Sequence, residues 1–513
     1  MTNIIFQSVF FLSAMATSVG YVHMLQLESY QTPGFLRWLK ANPDAASVRL
    51  MPAVLALVAS LWYFEYISLV CAGLLLIPSW IGGFKKAKKP LKITARAVRL
   101  FVILGILLGG ASFLIWLPFG RYALCLALVA YIALPFLVML ANIISLPLQK
   151  AVNGRYIRDA KRRLAGHPGL TVIGVTGSYG KTSVKQVIKS LLEVKYGVLA
   201  TPESFNTPMG VVRSIREGLS AAHQIFVCEM GARHRGDIRE ICDIVSPDHG
   251  VITAVGSMHL ETFGTVDAVA DTKFELADAL KPGGKAFLCS DYPHIRERAG
   301  QNAVTYGLDT QYNPDFWADG ISADADGTRF TVHTRDGREQ SFSTQLLGRH
   351  QVLNILAGIA VADAFDIPLN KLPAAVRAIR PVAHRLQLIK GGKINIIDDA
   401  FNANPAGAKA ALQVLSMFDG LKALVTPGMI ELGDSQEELN RAFGAQAAEI
   451  CDYVALVGEK QTLSVAQGLR DAGFPPERQG VFGTLEEALT WVKSVKDGRD
   501  FYILLENDLP DNY

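Results

Sequence analysis

A short glycine-flanked turn, "TGSYGKTS" at residues 176–183, carries the residue types that bind phosphate. Its glycines would let backbone N–H groups approach phosphate oxygens, and a helix starting there would add its positive N-terminal end. Lys181 could reach the β- and γ-phosphates of a nucleotide, and the Thr182 hydroxyl could bind Mg²⁺. The spacing is shorter than in the usual P-loop, because Val175 stands where that motif has its first glycine. The predicted nucleotide-binding residues are Thr176, Gly177, Ser178, Tyr179, Gly180, Lys181, Thr182 and Ser183.

Three polar side chains further along the chain lie at the ends of predicted strands or early in a predicted helix. Glu229 ends the apolar run "QIFVCEM", His259 follows the apolar run "VITAVGSM", and Lys273 lies early in a predicted helix. Open parallel sheets place their ligand residues at the carboxyl ends of strands. Each residue alone would read as an ordinary surface or loop residue. Together with a phosphate-binding turn, a carboxylate and an imidazole could hold Mg²⁺ around a triphosphate.

The elements that would position these residues alternate between strand and helix. Apolar strand candidates lie at 170–175, 225–229, 251–255 and 285–288, and helices are predicted at 182–194 and 267–280. This alternation predicts a parallel sheet with helices on its faces. The dipeptides Asp326-Gly327 and Asp336-Gly337 predict a small β insertion with two hairpin turns. Strands predicted at 394–398, 421–426, 452–457 and 501–505 indicate a second α/β domain.

The first 150 residues differ from the remainder in being strongly apolar. Apolar runs at 4–22, 51–81, 100–119 and 122–148 predict four or five membrane spans. The first run lacks a basic leader and a cleavage site, so we expect a retained anchor. Basic flanks at 85–99 and 149–164 place those segments on the cytoplasmic side. The sequence therefore predicts a multi-pass membrane protein, in contact with membrane lipid, with everything after residue 150 in the cytoplasm.

Composition limits the remaining possibilities. A chain of 513 residues is too long for one core, so several domains are expected. The net charge of +3 is small, and we predict no nucleic-acid partner. Its 6 cysteines are scattered, without metal-binding spacing, which favours a reducing compartment over a disulfide framework. The oligomeric state is left open.

Six motifs occur in the order found in the Mur ligase family, which the chain resembles from about residue 165 onward. They are "TGSYGKTS", "EMGARHRGDI", "VGSMHLETFG" with "DTKFEL", "GRHQVLNILAGIAVA", "HRLQ" and "DDAFNANPAGAKAAL". The resemblance is strongest to members that add D-alanyl-D-alanine to a UDP-N-acetylmuramoyl tripeptide. It implies a P-loop central domain at 151–384 and a Rossmann-like C-terminal domain at 385–513. With the transmembrane helical region predicted at 1–150 from the apolar runs, the expected fold class is α/β.

The resemblance also implies roles for individual residues. ATP and two Mg²⁺ ions are the expected cofactors, with Thr182 and Glu229 on the first ion. Lys273 matches a lysine that CO₂ carbamylates, which would let it hold the second ion with His259. Lys181, His259 and Lys273 are the predicted catalytic residues. Asn354, Arg385 and Asp399 match residues that contact the adenine, phosphates and ribose of ATP.

The implied reaction is ATP-dependent amide formation through an acyl phosphate in cell-wall assembly. The chain departs from the family because membrane-like sequence replaces the usual UDP-sugar-binding domain. Pro427-Gly428 stands where glycine and aspartate are expected, and Asn440 where a histidine is usual. The acceptor is therefore open between a soluble and a lipid-linked cell-wall carboxylate, and the amine is expected to be D-Ala-D-Ala-like.

Two other functions compete with this interpretation. One is a ligase for another envelope polymer, such as γ-linked polyglutamate, although those enzymes typically lack the C-terminal domain predicted here. The other is a transport or sensing ATPase that works through its membrane part. Glu65 is the single acidic residue between Met51 and Arg121, so no intramembrane charge cluster supports transport.

Overall fold

The protein is described by a computed structural model that covers most of the chain. The described residues are 2–28, 30–42, 90–116, 129–256, 258, 260–300, 302–324, 327–381, 384–400, 404–430, 432–495 and 498–507. The chain divides into two compact units, one ending at Arg155 and the other formed by Tyr156–Leu509.

The first unit is helical. Its helices are α1 (Thr2–Leu27), α2 (Thr32–Ala41), α3 (Ala95–Trp116) and α4 (Leu134–Ala165), the last of which continues beyond Arg155. Their shared core is apolar and aromatic, with Tyr21, Phe35 and Leu104 fully buried. Inside this core the Thr17 hydroxyl lies 2.7 Å from the Tyr131 hydroxyl. This pairing satisfies two polar groups that would otherwise be costly to bury.

The predicted membrane spans fall only partly on described residues. Helix α1 contains the predicted run 4–22, and α3 and α4 contain most of the described parts of 100–119 and 122–148. The predicted run 51–81 and the turn at Gly120-Arg121 lie outside the described residues. Within the described part of the chain, two helical segments, Phe10–Leu27 and Leu134–Ala165, are long and apolar enough to cross a membrane.

The second unit contains two sheets in its described residues. The larger has the strand order β2-β3-β1-β4-β5-β6-β7-β8-β9. Its strands are β1 (Thr171–Thr176), β2 (Val198–Ala200), β3 (Ile225–Glu229), β4 (His249–Ile252), β5 (Ala286–Cys289), β6 (Ala303–Gly307), β7 (Phe316–Asp324), β8 (Gly327–Thr334) and β9 (Glu339–Thr344). The strands from β2 to β7 pair in parallel, whereas β7, β8 and β9 pair antiparallel through two hairpins. The predicted β insertion therefore extends the main sheet.

Strand β1 lies inside this sheet because its sequence suits burial on both faces. "TVIGVT" is rich in β-branched residues, and every residue after Thr171 is buried. Gly174 lets a helix approach closely, because a Cβ there would lie 2.6 Å from a methyl carbon of Leu276. Separate apolar clusters cover the two sides of the sheet. Packing on both faces of the sheet therefore fixes the position at which strand β1 ends.

Helices pack on both sides of the larger sheet. They are α5 (Lys181–Leu192), α6 (Pro208–Gly218), α7 (Asp237–Val245), α8 (Leu260–Phe263), α9 (Val266–Asp278), α10 (Pro293–Arg296), α11 (Arg349–Ala364) and α12 (Pro373–Ala378). Thr207 caps α6 and Thr265 caps α9, each accepting a hydrogen bond from a backbone amide of the first turn. The predicted helices 182–194 and 267–280 correspond to α5 and α9.

Strand β4 ends earlier than predicted. The sequence predicts a strand over 251–255, but β4 is His249–Ile252. The prediction was wrong at the carboxyl end. Thr253 still donates to Thr176, the last residue of β1, but Thr253 and Ala254 also bond to the phosphate-binding turn. The Ala254 carbonyl accepts from the Ser178 amide at 2.7 Å, and Thr253 Oγ1 donates to the carbonyl of Tyr179.

The smaller sheet has the order β10-β11-β15-β12-β13-β14. Its strands are β10 (Gln387–Ile389), β11 (Ile394–Asp399), β12 (Leu421–Thr426), β13 (Tyr453–Val457), β14 (Gln479–Phe482) and β15 (Phe501–Glu506). Only β10 runs antiparallel among these described strands. The helices around it are α13 (Pro405–Ser416), α14 (Gln436–Ile450), α15 (Leu463–Asp471) and α16 (Leu485–Ser494). The predicted second α/β domain is confirmed.

Candidate functional site

The phosphate-binding turn connects β1 to α5 at the carboxyl end of this interior strand. Gly177 and Gly180 have φ values of +152° and +76°, which side-chain-bearing residues rarely adopt. Gly180 also faces α11, because a Cβ there would lie 2.7 Å from Asn354 Oδ1. No side chain caps the N-terminus of α5. The turn therefore presents a helix end that an anion can occupy.

Lys181 extends back over this turn. Its Nζ donates to the carbonyl of Gly177 at 2.8 Å and to that of Ser178 at 3.4 Å. Burial lowers the pKa of Lys181 to about 8, while the nearby Glu229 carboxylate opposes that shift and Arg385 adds to it. The ammonium group therefore lies over the turn, where it can neutralise phosphate oxygens.

Glu229 ends β3 next to this turn and exposes no surface to solvent. Its Oε1 accepts from Thr182 Oγ1 at 3.2 Å and from Asn206 Nδ2 at 3.0 Å. Its Oε2 lies 3.0 Å from Lys185 Nζ, in an ion pair whose two side chains are 4% and 1% exposed. The structure thus brings together Thr182 and Glu229, two of the predicted metal ligands.

The sequence interpretation missed Asn206 and Lys185. Asn206 lies between β2 and α6. Asparagine is common in turns, so the residue type alone did not indicate a functional role. Lys185 is four residues after Lys181 on α5, a spacing that reads as a solvated helix face.

The ligand types at this position fit Mg²⁺. Within the described ranges, no group of three or more histidine, cysteine, aspartate or glutamate residues could form a protein-only metal site. Mg²⁺ is commonly held by one or two carboxylates together with substrate phosphates and water. A buried carboxylate beside a threonine hydroxyl at the end of a phosphate turn matches that pattern. Glu229 and Thr182 would therefore hold the ion.

Lys273 lies on α9 with only 3% of its surface exposed. The alternative that it decorates an exposed helix face is therefore wrong. Burial lowers the pKa of Lys273 to about 7, and the charge of Lys181 lowers it further, while Asp237 and Glu275 oppose the shift. His259, the predicted partner of Lys273, lies outside the described residues.

Arg385 and Asp399 reach the site from the smaller sheet. Burial lowers the pKa of Arg385, and the carboxylates of Glu229 and Asp399 oppose that shift. The three side chains are therefore close enough to interact electrostatically, although Glu229 belongs to the other sheet. Asn354, the third predicted nucleotide contact, lies beside the turn and donates from Nδ2 to Gln351 Oε1 at 3.1 Å.

The backbone on either side of Arg385 is strained. His384 and Leu386 have φ values of +60° and +47°. His384 Nδ1 lies 2.8 Å from Asp398 Oδ2, and the Leu386 amide donates to Asp399 Oδ1 at 3.1 Å. Two carboxylates at the end of β11 therefore hold a segment that the backbone alone would not prefer.

Asp399 also forms a buried carboxyl pair with Glu506. The two are register neighbours at the ends of β11 and β15. Burial raises the pKa of each, because two adjacent carboxyl groups away from water cannot both ionise easily.

The segment that departs from the family pattern has a structural explanation. Asn440 is buried, accepts from the Met429 amide at 2.8 Å and donates to the Met429 carbonyl at 2.8 Å. Gly428 in the same segment has a φ of +81°. Asn440 thus holds this loop by its backbone, a role for which its amide has both the donor and the acceptor.

Comparison with known proteins identifies the family. Residues 175–362 match the family described as Mur ligase middle domain, and residues 384–505 match the one described as Mur ligase, glutamate ligase domain. The chain belongs to the Mur ligase family, and its two sheets are the central and C-terminal domains of that fold.

Three similar proteins share one named function. The chain is similar to UDP-N-acetylmuramoyl-tripeptide–D-alanyl-D-alanine ligase of Bacillus subtilis, at 34% identity over 54% of this chain and 60% of that protein. It thus spans less than two thirds of that relative. A crystal structure of MurF from Acinetobacter baumannii aligns with a TM-score of 0.63 and 28% identity, covering 69% of this chain and 77% of the other. MurF ligase from Thermotoga maritima in complex with ADP aligns with a TM-score of 0.62 and 26% identity, covering 69% and 80%.

Proposed function

We propose that the protein is an ATP-dependent amide ligase of cell-wall assembly that joins a D-alanyl-D-alanine-like amine to the carboxylate of a peptidoglycan precursor. The observation that carries the proposal is the geometry of the phosphate-binding turn, where Lys181 Nζ donates to the Gly177 carbonyl at 2.8 Å and Thr182 Oγ1 donates to Glu229 Oε1 at 3.2 Å. The larger sheet supplies Lys181, Thr182 and Glu229, and the smaller supplies Arg385, which interacts electrostatically with Glu229. The structural similarity to a MurF ligase that was solved in complex with ADP supports nucleotide binding.

The chemistry requires two anions to meet, because a carboxylate must take the γ-phosphate of ATP to form an acyl phosphate that the amine then attacks. Lys181 and the N-terminus of α5 would neutralise the phosphates. Thr182 and Glu229 would hold Mg²⁺, which supplies further positive charge when bound. Asn354, Arg385 and Asp399 would orient the nucleotide. The side chains act by binding and positioning, and none needs to become a covalent nucleophile.

Lys273 would become a metal ligand with His259 after carbamylation. Only an unprotonated amine reacts with CO₂, and an ordinary lysine with a pKa near 10.5 is neutral in about one molecule in 3000 at pH 7. A pKa of about 7 leaves roughly half of Lys273 neutral at that pH. The product carries oxygens and a negative charge, which Mg²⁺ prefers.

Two variants test the carbamate. Lys273→Ala should lose most activity, and short carboxylic acids should partly restore it by occupying the vacated space. Lys273→Arg should stay inactive, because arginine keeps a positive charge and cannot form the same carbamate. Full activity of the arginine variant at saturating bicarbonate and Mg²⁺ would exclude this role.

We further propose that helices of the first unit place the enzyme in the bacterial cytoplasmic membrane as a multi-pass protein, with its ATP site in the cytoplasm. The two apolar helical segments and the basic residues that end α4, Arg162 and Arg163, support this arrangement. A membrane location favours a carboxylate carried by a lipid-linked precursor. A UDP-linked precursor remains the second acceptor to test.

The decisive experiment is coupled ADP release by the full chain purified in detergent. We expect ADP and phosphate only when a precursor carboxylate and D-alanyl-D-alanine are both present, and a new amide in the product by mass spectrometry. The precursor is supplied in UDP-linked and lipid-linked forms, and Lys181→Ala is the control. Turnover that needs no amine would indicate a transport or sensing ATPase. Turnover with glutamate in place of D-alanyl-D-alanine would indicate a polymer ligase.

A further inference from the structure

Lys185 is a buried cation for which the proposed reaction has no use. It lies one helical turn after Lys181 on α5, yet the two lysines contact different groups. Lys181 bonds to the phosphate-binding turn, whereas Lys185 faces Glu229 Oε2 at 3.0 Å and donates to the carbonyl of Glu203. Burying an ammonium group is costly unless it is paired. Its position therefore depends on the charge of Glu229.

Glu229 is surrounded by more positive than negative charge. Lys185 forms its ion pair, and both Lys181 and Arg385 interact with it electrostatically. Among the described residues, three cationic side chains thus act on one buried carboxylate, and the ammonium group of Lys185 lies 3.0 Å from its Oε2. A divalent cation that arrives alone would be repelled by these positive charges. A nucleoside triphosphate brings negative charge that would offset the positive charges around Glu229.

We propose that Lys185 is a positioning residue that makes metal binding conditional on the nucleotide. It acts as the counter-ion of Glu229 while the site holds no nucleotide, and it keeps the carboxylate in place without a metal. The inference rests on the proposed nucleotide site. By reciprocity, the factor by which nucleotide strengthens metal binding equals the factor by which metal strengthens nucleotide binding.

The structure also shows how Lys185 keeps the carboxylate in place. The Glu229 amide donates to Thr201 Oγ1 at 3.1 Å, and Asn206 donates to Oε1 at 3.0 Å. Thr201, Glu203 and Asn206 belong to one segment after β2. Lys185 connects this segment to the second carboxylate oxygen. Without its charge, Glu229 keeps two hydrogen bonds to Oε1 but loses the closest competitor for a metal ion.

The test measures binding of Mn²⁺, a paramagnetic substitute for Mg²⁺, by electron paramagnetic resonance on the full chain in detergent. Wild-type protein should bind Mn²⁺ weakly without nucleotide and much more tightly with a non-hydrolysable ATP analogue. Lys185→Met, which has a neutral side chain of similar length, should bind Mn²⁺ without nucleotide at least about tenfold more tightly than wild type. Lys185→Arg, which keeps the charge, should behave like wild type.

Because Lys185→Met removes one partner of a buried pair, Lys185→Gln is made in parallel, since its amide can still donate to the Glu203 carbonyl. Both neutral variants should retain metal-free binding of the ATP analogue, measured by calorimetry. Unchanged or weaker Mn²⁺ binding in the neutral variants would overturn the proposal for Lys185 while leaving nucleotide binding intact. Failure of wild-type protein to bind the analogue at all would instead overturn both the coupling and the proposed function.

Discussion

Replacing Lys273 by methionine should stabilise the protein while removing its activity. Burial lowers the pKa of Lys273 from 10.5 to about 7. Each pKa unit corresponds to 1.36 kcal/mol, so holding the ammonium form inside the fold costs about 5 kcal/mol below pH 7. Methionine fills a similar volume without a charge. The free energy of unfolding should therefore increase in the Lys273→Met variant by a substantial part of this cost of about 5 kcal/mol.

The dependence on pH has a definite sign. The folded-state pKa lies below the unfolded value, so between pH 7 and 10.5 the unfolded chain binds the proton and the folded chain does not. Stability of the wild-type protein should therefore rise with pH across this window through Lys273, and the methionine variant should lack that rise. The advantage of the variant should be largest below pH 7 and should vanish near pH 10.5.

The assay is thermal unfolding of the full chain in detergent, followed by intrinsic fluorescence at several pH values in bicarbonate-free buffer. Lys371→Met is the matched control, because Lys371 is exposed and should give a small, pH-independent change. Adding bicarbonate should raise the unfolding temperature of wild type and of the Lys371→Met control by the same amount. It should leave the unfolding temperature of Lys273→Met unchanged. A variant less stable than wild type below pH 7, or a difference that does not change with pH, would refute the reasoning.

Three further predictions concern the phosphate-binding turn and the topology. Lys181→Ala should abolish ATP turnover with an unchanged circular dichroism spectrum, and wild-type turnover would remove this residue from the site. Gly180→Ala places a Cβ 2.7 Å from an amide oxygen on α11 and should weaken nucleotide binding in calorimetry by tenfold or more, by roughly 1.4 kcal/mol. Gly236→Ala, with a similar φ of +87° and no atom within 4 Å, is its control and should bind normally. Cysteines placed within 85–99 or beyond residue 155 should react with a membrane-impermeant label in inverted vesicles, whose cytoplasmic face is outward, and not in intact cells. Labelling in intact cells would reverse the proposed orientation.

Strands β1, β3, β4 and β5 of the larger sheet could be predicted because almost all of their residues are buried. "TVIGVT" and "IFVCE" are continuous β-branched and apolar runs, a pattern that few other elements share. The same pattern correctly predicts that Glu229 lies at a strand end. It failed at the carboxyl end of β4, because residues after Ile252 have strand-like composition but also bond to the phosphate-binding turn.

Local sequence could not distinguish the lysines of α5. Lys185 and Lys189 are each one helical turn after the preceding lysine, so their spacing and residue type are identical. Lys189 pairs with Glu193 at the surface with 35% of its side chain exposed, whereas Lys185 is 4% exposed. The difference comes from β3, a strand about forty residues away that ends in a carboxylate. Tertiary pairing of this kind leaves no periodic signal in the sequence.

The strained segment around Arg385 has a consequence for protein engineering. Each non-glycine residue with a left-handed backbone costs on the order of 1 kcal/mol, and His384 and Leu386 both carry that cost. Glycine at position 384 would relieve strain and also remove the contact with Asp398 that fixes the neighbouring arginine. Backbone strain and the bond to a buried carboxylate therefore oppose each other at one position, so a substitution there that relieves the strain also releases the arginine.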